Sequence, residues 1–337
     1  MLVYELEKAF NKTAEREVWI GIELEVYLLV KDEDYDYYHV NLNSDITREI
    51  YDRLDERVYR DFYPYQLELR TYPHPDPKEV TNELISLFRE TNKIAREIGG
   101  KLAPVSMIRG QMFNGMHIHI SHTPRISNKD MVKSIVASYP FIIDIARMTL
   151  SSPAKTERYG EVLSLRILES PHIGLIPIKE TFNSLEQMWV EDVYYDSSKR
   201  FYDIALNVNK RHGRSRIKDV NTIEVRMFDC VGSESVLRNV IELTYSVYKF
   251  LNPQWISEFR KNYDMRAKLE DIFYVIRHNL VTLSDYVNAF TGTDAKELAK
   301  HFGIGNVYEE PWIYELFFSY DTFCTEKKQS DINYLIS

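Results

Sequence analysis

The sequence predicts an α+β fold in which helices surround an antiparallel sheet and a mainly helical final third follows. Three observations carry that expectation. Four short segments alternate apolar and polar residues with a period of two, the pattern of strands with one buried and one open face. Such half-polar strands suit an antiparallel sheet, because the strands of a parallel sheet are covered on both faces. Between the segments lie capped stretches with helical spacing, and beyond residue 253 helical spacing takes over.

The first strand segment, 18–26 (VWIGIELEV), places Ile20, Ile22 and Leu24 on one side and Glu23 and Glu25 on the other. Gly21 is of a type depleted from strand interiors and marks a close approach by ligand or backbone. The second, 65–71 (YQLELRT), separates Leu67 and Leu69 from Glu68 and Arg70. A helix over 77–98 comes next. Asp76 is its N-cap, Pro77 its first residue, Glu79 completes a capping box, and Gly99-Gly100 stops it. The third segment, 115–121 (GMHIHIS), opposes Ile118 and Ile120 to His117 and His119, with Gly115 and Ser121 leaving space beside the imidazoles. A second helix starts after Ser127 or Asn128 and runs to about residue 150, with Pro140 kinking or splitting it. The fourth segment, 222–230 (TIEVRMFDC), sets Ile223, Val225 and Met227 against Glu224 and Arg226, and parity puts Asp229 at the core edge. A third helix spans 233–251 and ends at Asn252-Pro253. Further helices are expected near 265–280, 283–290, 293–302 and 310–319, where Phe273, Tyr274, Phe290, Trp312, Tyr314, Phe317 and Phe318 read as packing. The division is therefore a catalytic α+β domain over 1–252 and a helical region over 253–337 packed on it.

Composition bounds the function. With 337 residues, 44% hydrophobic and 28% charged, the chain can bury a sizeable core. A formal net charge of −9 argues against a general nucleic-acid binder, and the basic run 210–216 reads as a solvated loop. Cys230 and Cys324 make no disulfide framework and lack zinc-finger spacing. No apolar run approaches the roughly 20 residues of a membrane span, and residues 1–10 have no signal-peptide core. The expectation is a cytoplasmic enzyme that acts on small molecules, without a membrane or nucleic-acid partner, as a homo-oligomer.

If the four strands share one sheet, its non-core face carries Glu23, Glu25, Glu68, Glu224, His117, His119, Arg70 and Arg226. Carboxylates are the ligands for Mg²⁺ and Mn²⁺, and in ATP sites the ion is shared with phosphates. The planar fork of Arg226 suits a phosphoryl group. Against these stand plainer readings: Glu23 and Glu25 as an acidic solvent face, and Glu224 and Arg226 as partners across the sheet. His74 and His122, beside turn-forming prolines, are expected at the surface. A Walker loop, a dinucleotide-binding glycine motif, a nucleophile elbow and the protein-kinase motifs are all missing, so any ATP phosphates must be held by metals and arginines on a sheet.

These residues in this order resemble the carboxylate–amine ligase family related to glutamate–cysteine ligase and, more distantly, to glutamine synthetase. The matching motifs are GIELE at 21–25, LELRTYP at 67–73, GMHIHIS at 115–121 and TIEVRMFD at 222–229, with Ser151-Ser152-Pro153, Ser164-Leu165-Arg166 and Gly174-Leu175-Ile176-Pro177 as weaker landmarks. The resemblance implies a strongly curved antiparallel sheet forming a funnel for two or three Mg²⁺ or Mn²⁺ ions. It makes Glu23, Glu25, Glu68, His117 and Glu224 metal ligands, Arg226 the contact to ATP or the transferred phosphoryl group, and Arg166 a substrate or phosphate contact. It implies an amide, γ-glutamyl in the related enzymes, made from glutamate or a similar carboxylate and an amine through an acyl-phosphate. The chain departs from the family where a second glutamate is usual before Glu68, and Asp61 is the carboxylate in that stretch. Three other readings stay open: a guanidino-type phosphotransferase, a zinc hydrolase built on His117 and His119, and a non-catalytic nucleotide- or metal-binding relative.

Overall fold

The computed structural model describes residues 6–11, 17–31, 38–54, 56–61, 63–108, 111–150, 154–156, 160–162, 164, 166–167, 204–208, 221–255 and 295–305. In chain order these form α1 (Leu6–Ala9), β1 (Glu17–Lys31), β2 (Tyr38–Val40), α2 (Ser44–Arg53), β3 (Val58–Arg60), β4 (Gln66–Arg70), α3 (Pro77–Glu97), β5 (Gly100–Ala103), β6 (Gly115–Thr123), α4 (Asn128–Ala146), β7 (Ala154–Thr156), β8 (Gly160–Val162), β9 (Ile204–Val208), β10 (Asn221–Asp229), α5 (Glu234–Phe250) and α6 (Ala295–Phe302). The expected helices at 265–280, 283–290 and 310–319 lie outside the described residues.

The four alternating segments do share one open sheet, in the order β3-β4-β1-β6-β10-β9, and the described pairs are antiparallel. β1 is its backbone. Its first half pairs with β6, its middle with β4, and its far end with β5 and β2. β7 and β8 make a separate hairpin. The side chains that the period-two pattern assigned to the core are buried: Ile20, Ile22, Leu24, Leu67, Leu69, Ile118, Ile120, Ile223, Val225 and Met227. Burying each such side chain contributes about 1.5–3 kcal/mol. They pack against α3, α4 and α5, so the helices cover one face of the sheet.

The caps place those helices. The Asp76 carboxylate accepts the Lys78 N–H at 2.9 Å, Pro77 occupies the first turn, and Gly99, at φ +80°, ends α3. Ser127 Oγ accepts from Asp130 N at 3.1 Å to start α4, and Ser233 Oγ accepts from Val236 N at 3.5 Å to start α5. Pro140 does not split α4, which runs unbroken from Asn128 to Ala146 with Met131, Ile135, Ile142 and Ile145 buried along it. α6 lies on α4 and α5, with Phe302 against Phe10 at 4.9 Å between ring centroids. His122 is buried rather than at the surface, because β6 runs on to Thr123 and pairs His122 with Val18. His74 is exposed, as expected.

Candidate active site

The face of β1 opposite the helices reads Gly21, Glu23, Glu25, Tyr27, Leu29. Its last two members join Tyr65 and Ala103 in a small second apolar cluster. Tyr27 accepts the Ile108 N–H at 3.3 Å and donates to the Met112 carbonyl, tying the chain around 106–114 to this end of the sheet. The polar stretch of the strand is thus bounded by an apolar floor that period-two reasoning over 18–26 did not reach.

Neighbouring strands bring the other polar residues to this face. Glu23 stands across from Arg70 on one side and His117 on the other, and Glu25 across from Glu68. Gly21 and Glu224 both stand across from His119. Gly21 itself marks no close approach among the described residues, since a Cβ there would meet Pro73 at an ordinary 3.8 Å.

Two sets of donors result. Glu23, His119 and Glu224 offer ligand atoms within 4.8 Å of one another, and Glu25, Asp61 and Glu68 form a second such group. Asp61 comes from the turn before β4, where its N–H donates to the Gln66 carbonyl at 3.1 Å and the Gln66 N–H donates to Tyr63 at 3.0 Å. Asp61, the carboxylate that the sequence carries ahead of β4, therefore lies beside Glu68. His117 borders both groups, with Nδ1 3.4 Å from Glu23 and 3.8 Å from Glu224, and Nε2 3.9 Å from Glu25.

The electrostatics follow from crowding like charges out of water. Burial, then the Asp61 charge, pushes Glu25 up to about 7. Burial, then Glu23, raises Glu68 to about 8, and burial raises Asp61 to about 6. In the other group burial opposes ionisation, yet Arg226, His119 and His117 together hold Glu224 down at about 2, and the two histidines with Arg70 hold Glu23 well below the usual range. His119 is raised to about 9 because Glu23 and Glu224 outweigh its burial. Burial and the Arg226 charge lower His117 to about 4, so it is a neutral imidazole with a lone pair to offer. Three repelling carboxylates in one group, and two carboxylates that already draw positive charge onto His119 in the other, suit divalent cations, and a cation in the second group would take the place of the His119 proton.

Arg226 donates to Glu224 on its own strand. Beyond Arg226 the register of β10 against β6 shifts, so that Phe228 faces Met116 and Asp229 faces Gly115. This bulge turns Asp229 onto the face of Glu224, where simple parity did not place it. Arg166 fills the irregularity. Its guanidinium donates to the Phe228 carbonyl at 2.8 Å and the Arg226 carbonyl at 3.1 Å and lies 3.7 Å from Asp229, which also accepts from Ser164 Oγ at 3.0 Å. A Cβ on residue 115 would sit 1.9 Å from an Arg166 nitrogen, so the glycine is required by the arginine. Residues 151–153, 165 and 174–177 of the weaker landmarks lie outside the described residues. Burial pushes the Cys230 thiol well up, which removes it as a nucleophile.

No family model and no curated protein sequence matches the chain. Its fold is shared with solved ligase structures. A bifunctional glutathione synthetase from Pasteurella multocida aligns over 89% of this chain with a TM-score of 0.58 at 14% identity, and the chain spans 46% of that protein's length. A glutamate–cysteine ligase from Francisella tularensis, solved with AMP, aligns over 84% of this chain and 72% of its own, with a TM-score of 0.50 at 14% identity. No helix among the described residues is long and apolar enough to cross a membrane.

Proposed function

We infer that the chain is an ATP- and divalent-metal-dependent ligase that joins a carboxylate to an amine, with its active site on the open face of β1, β4, β6 and β10. The observation that carries this reading is the pair of three-residue donor groups side by side on that face, flanked by Arg226. The fold shared with a glutathione synthetase and a glutamate–cysteine ligase supports it. Glu23, Glu224 and His119, once it has given up the proton its carboxylates hold on it, would hold one Mg²⁺ or Mn²⁺, and Glu25, Asp61 and Glu68 a second, with the neutral His117 able to serve either. Bound there, such ions would supply Lewis-acid stabilisation of charge on the ATP phosphates. Arg226, held in place by Glu224, would orient the γ-phosphoryl group. Arg166 would act one step behind it, fixing the bulge that aims Arg226. The carboxylate oxygen of the substrate attacks the γ-phosphorus and ADP leaves. The amine nitrogen then attacks the acyl carbon of the acyl-phosphate, loses a proton, and expels phosphate. The apolar floor of Tyr27, Leu29, Tyr65 and Ala103 keeps water from one end of this face.

On the same reading the carboxylate is the γ-carboxyl of glutamate, residues 1–252 are the catalytic domain, and residues 253–337 are packed on it. The test is release of ADP and phosphate from ATP by the purified protein with Mg²⁺ or Mn²⁺, glutamate and a pool of amines that includes cysteine. Amine-dependent release is expected, with a fall of about 10²- to 10³-fold in Glu224→Ala, which loses a ligand and the partner of Arg226. ADP without free phosphate would make the protein a phosphotransferase instead.

A further inference from the structure

Arg70 belongs to neither donor group and has no part in the steps above, yet it touches both. It donates to Glu68 on its own strand and lies 3.4 Å from Glu23 on β1, so one guanidinium bridges a carboxylate of each group. Tyr59 of β3 backs it, with the guanidinium carbon 4.3 Å from the ring centroid. Its side chain is 41% exposed, against 23% for Glu23, 14% for Arg226 and 9% for Glu68. Arg70 is therefore a cation pinned by a ring on one side and open on the other. In the strand order it flanks the donors on β4 as Arg226 does on β10, three strand spacings or about 14 Å away.

The charge balance gives this position a use. Glu23, Glu25, Asp61, Glu68 and Glu224 outnumber the two guanidiniums, and two divalent cations would turn the balance positive. A guanidinium that neutralises Glu23 and Glu68 is then surplus on those oxygens, and its planar fork matches an incoming carboxylate.

We propose that Arg70, backed by Tyr59, is the specificity residue for a second carboxylate on the acid substrate, and that it leaves Glu23 and Glu68 for that group when cations take those oxygens. This rests on the ligase reading and gives the non-reacting carboxylate of its acid substrate a binding residue on this chain. The phosphates of the nucleotide, on the Arg226 flank, do not use it.

Calorimetric titrations of the full chain in saturating Mn²⁺ test this with three probes: L-glutamate, 4-aminobutyrate (the same acid without the second carboxylate) and adenylyl imidodiphosphate. Wild type should prefer L-glutamate to 4-aminobutyrate. Arg70→Gln should weaken L-glutamate by about 10- to 100-fold and erase the preference, while the nucleotide analogue changes by less than about twofold. Arg70→Lys, which keeps charge without the fork, should fall between, and Tyr59→Leu should weaken L-glutamate only. Mn²⁺ binding followed by electron paramagnetic resonance, without anions, should be as tight or tighter in Arg70→Gln, because a competing cation is gone. An unchanged preference in Arg70→Gln, loss of nucleotide binding instead, weaker Mn²⁺ binding, or a wild type indifferent to the second carboxylate would each overturn the assignment. Failure of the wild type to bind Mn²⁺ and the nucleotide analogue would overturn the ligase reading itself, a result visible without any Arg70 variant.

Discussion

Glu25, Asp61 and Glu68 titrate near 7, 6 and 8, all above ordinary carboxylates, because burial and mutual repulsion favour the neutral form. A group raised in the folded state contributes stability below its unfolded pKa and loses it as pH climbs through the folded value. The protein without added metal should therefore lose stability from about pH 4 to pH 8 through these three groups. A divalent cation competes with their protons, so its affinity should rise across pH 6 to 8 and its binding should release protons. Mn²⁺ calorimetry in buffers of different ionisation enthalpy measures both, and an affinity independent of pH would remove this trio from the ligand set. At this scale the face was legible: alternation puts Glu23, Glu25, Glu68, His117, His119 and Glu224 on the open face, but the sequence resemblance named His117 as the ligand, whereas the donor group with Glu23 and Glu224 contains His119. Asp61 sits in a turn, where no period assigns a face, and only the resemblance, which has a carboxylate in the stretch before Glu68, hinted at its place. Arg70 was on the legible face, but its link to both donor groups depends on which strand lies beside which.

Among the elements, β10 teaches most. Its first half obeys the alternation read from sequence, and its second half does not, because the bulge inserts a residue and Arg166 binds the carbonyls there. Long-range packing of this sort leaves no local signature, whereas the caps of α3, α4 and α5 lie beside the turns they stabilise and were readable. Gly115 is the joint between β6 and the bulge. Gly115→Ala should drive Arg166 off the Phe228 and Arg226 carbonyls and destabilise the protein by about 1–3 kcal/mol. Denaturant unfolding would measure that change. Since Arg226 precedes the bulge, nucleotide binding should weaken in the same variant, and retention of both properties would show that the glycine is dispensable.

Across the whole molecule, one sheet carries the core on its helical face and the donor groups on the other, and β1 contributes to both. Ions held by side chains from β1, β4, β6 and β10 would cross-link the middle of the sheet. At one hundred times its dissociation constant a ligand adds about 2.7 kcal/mol to stability, so Mn²⁺ should raise the melting temperature of the wild type. Glu68→Gln should reduce that gain, and an equal gain in both would place the ion elsewhere. The sharing of β1 also limits how this strand can change over time. Deleting a single residue between Ile20 and Glu25 would send every glutamate beyond it into the core and every aliphatic partner out to the open face. Lineages descended from this chain can exchange residues in β1 one by one, but a change of its length by one, unless a bulge like that of β10 absorbs it, displaces the hydrophobic layer and the proposed cation ligands in the same event.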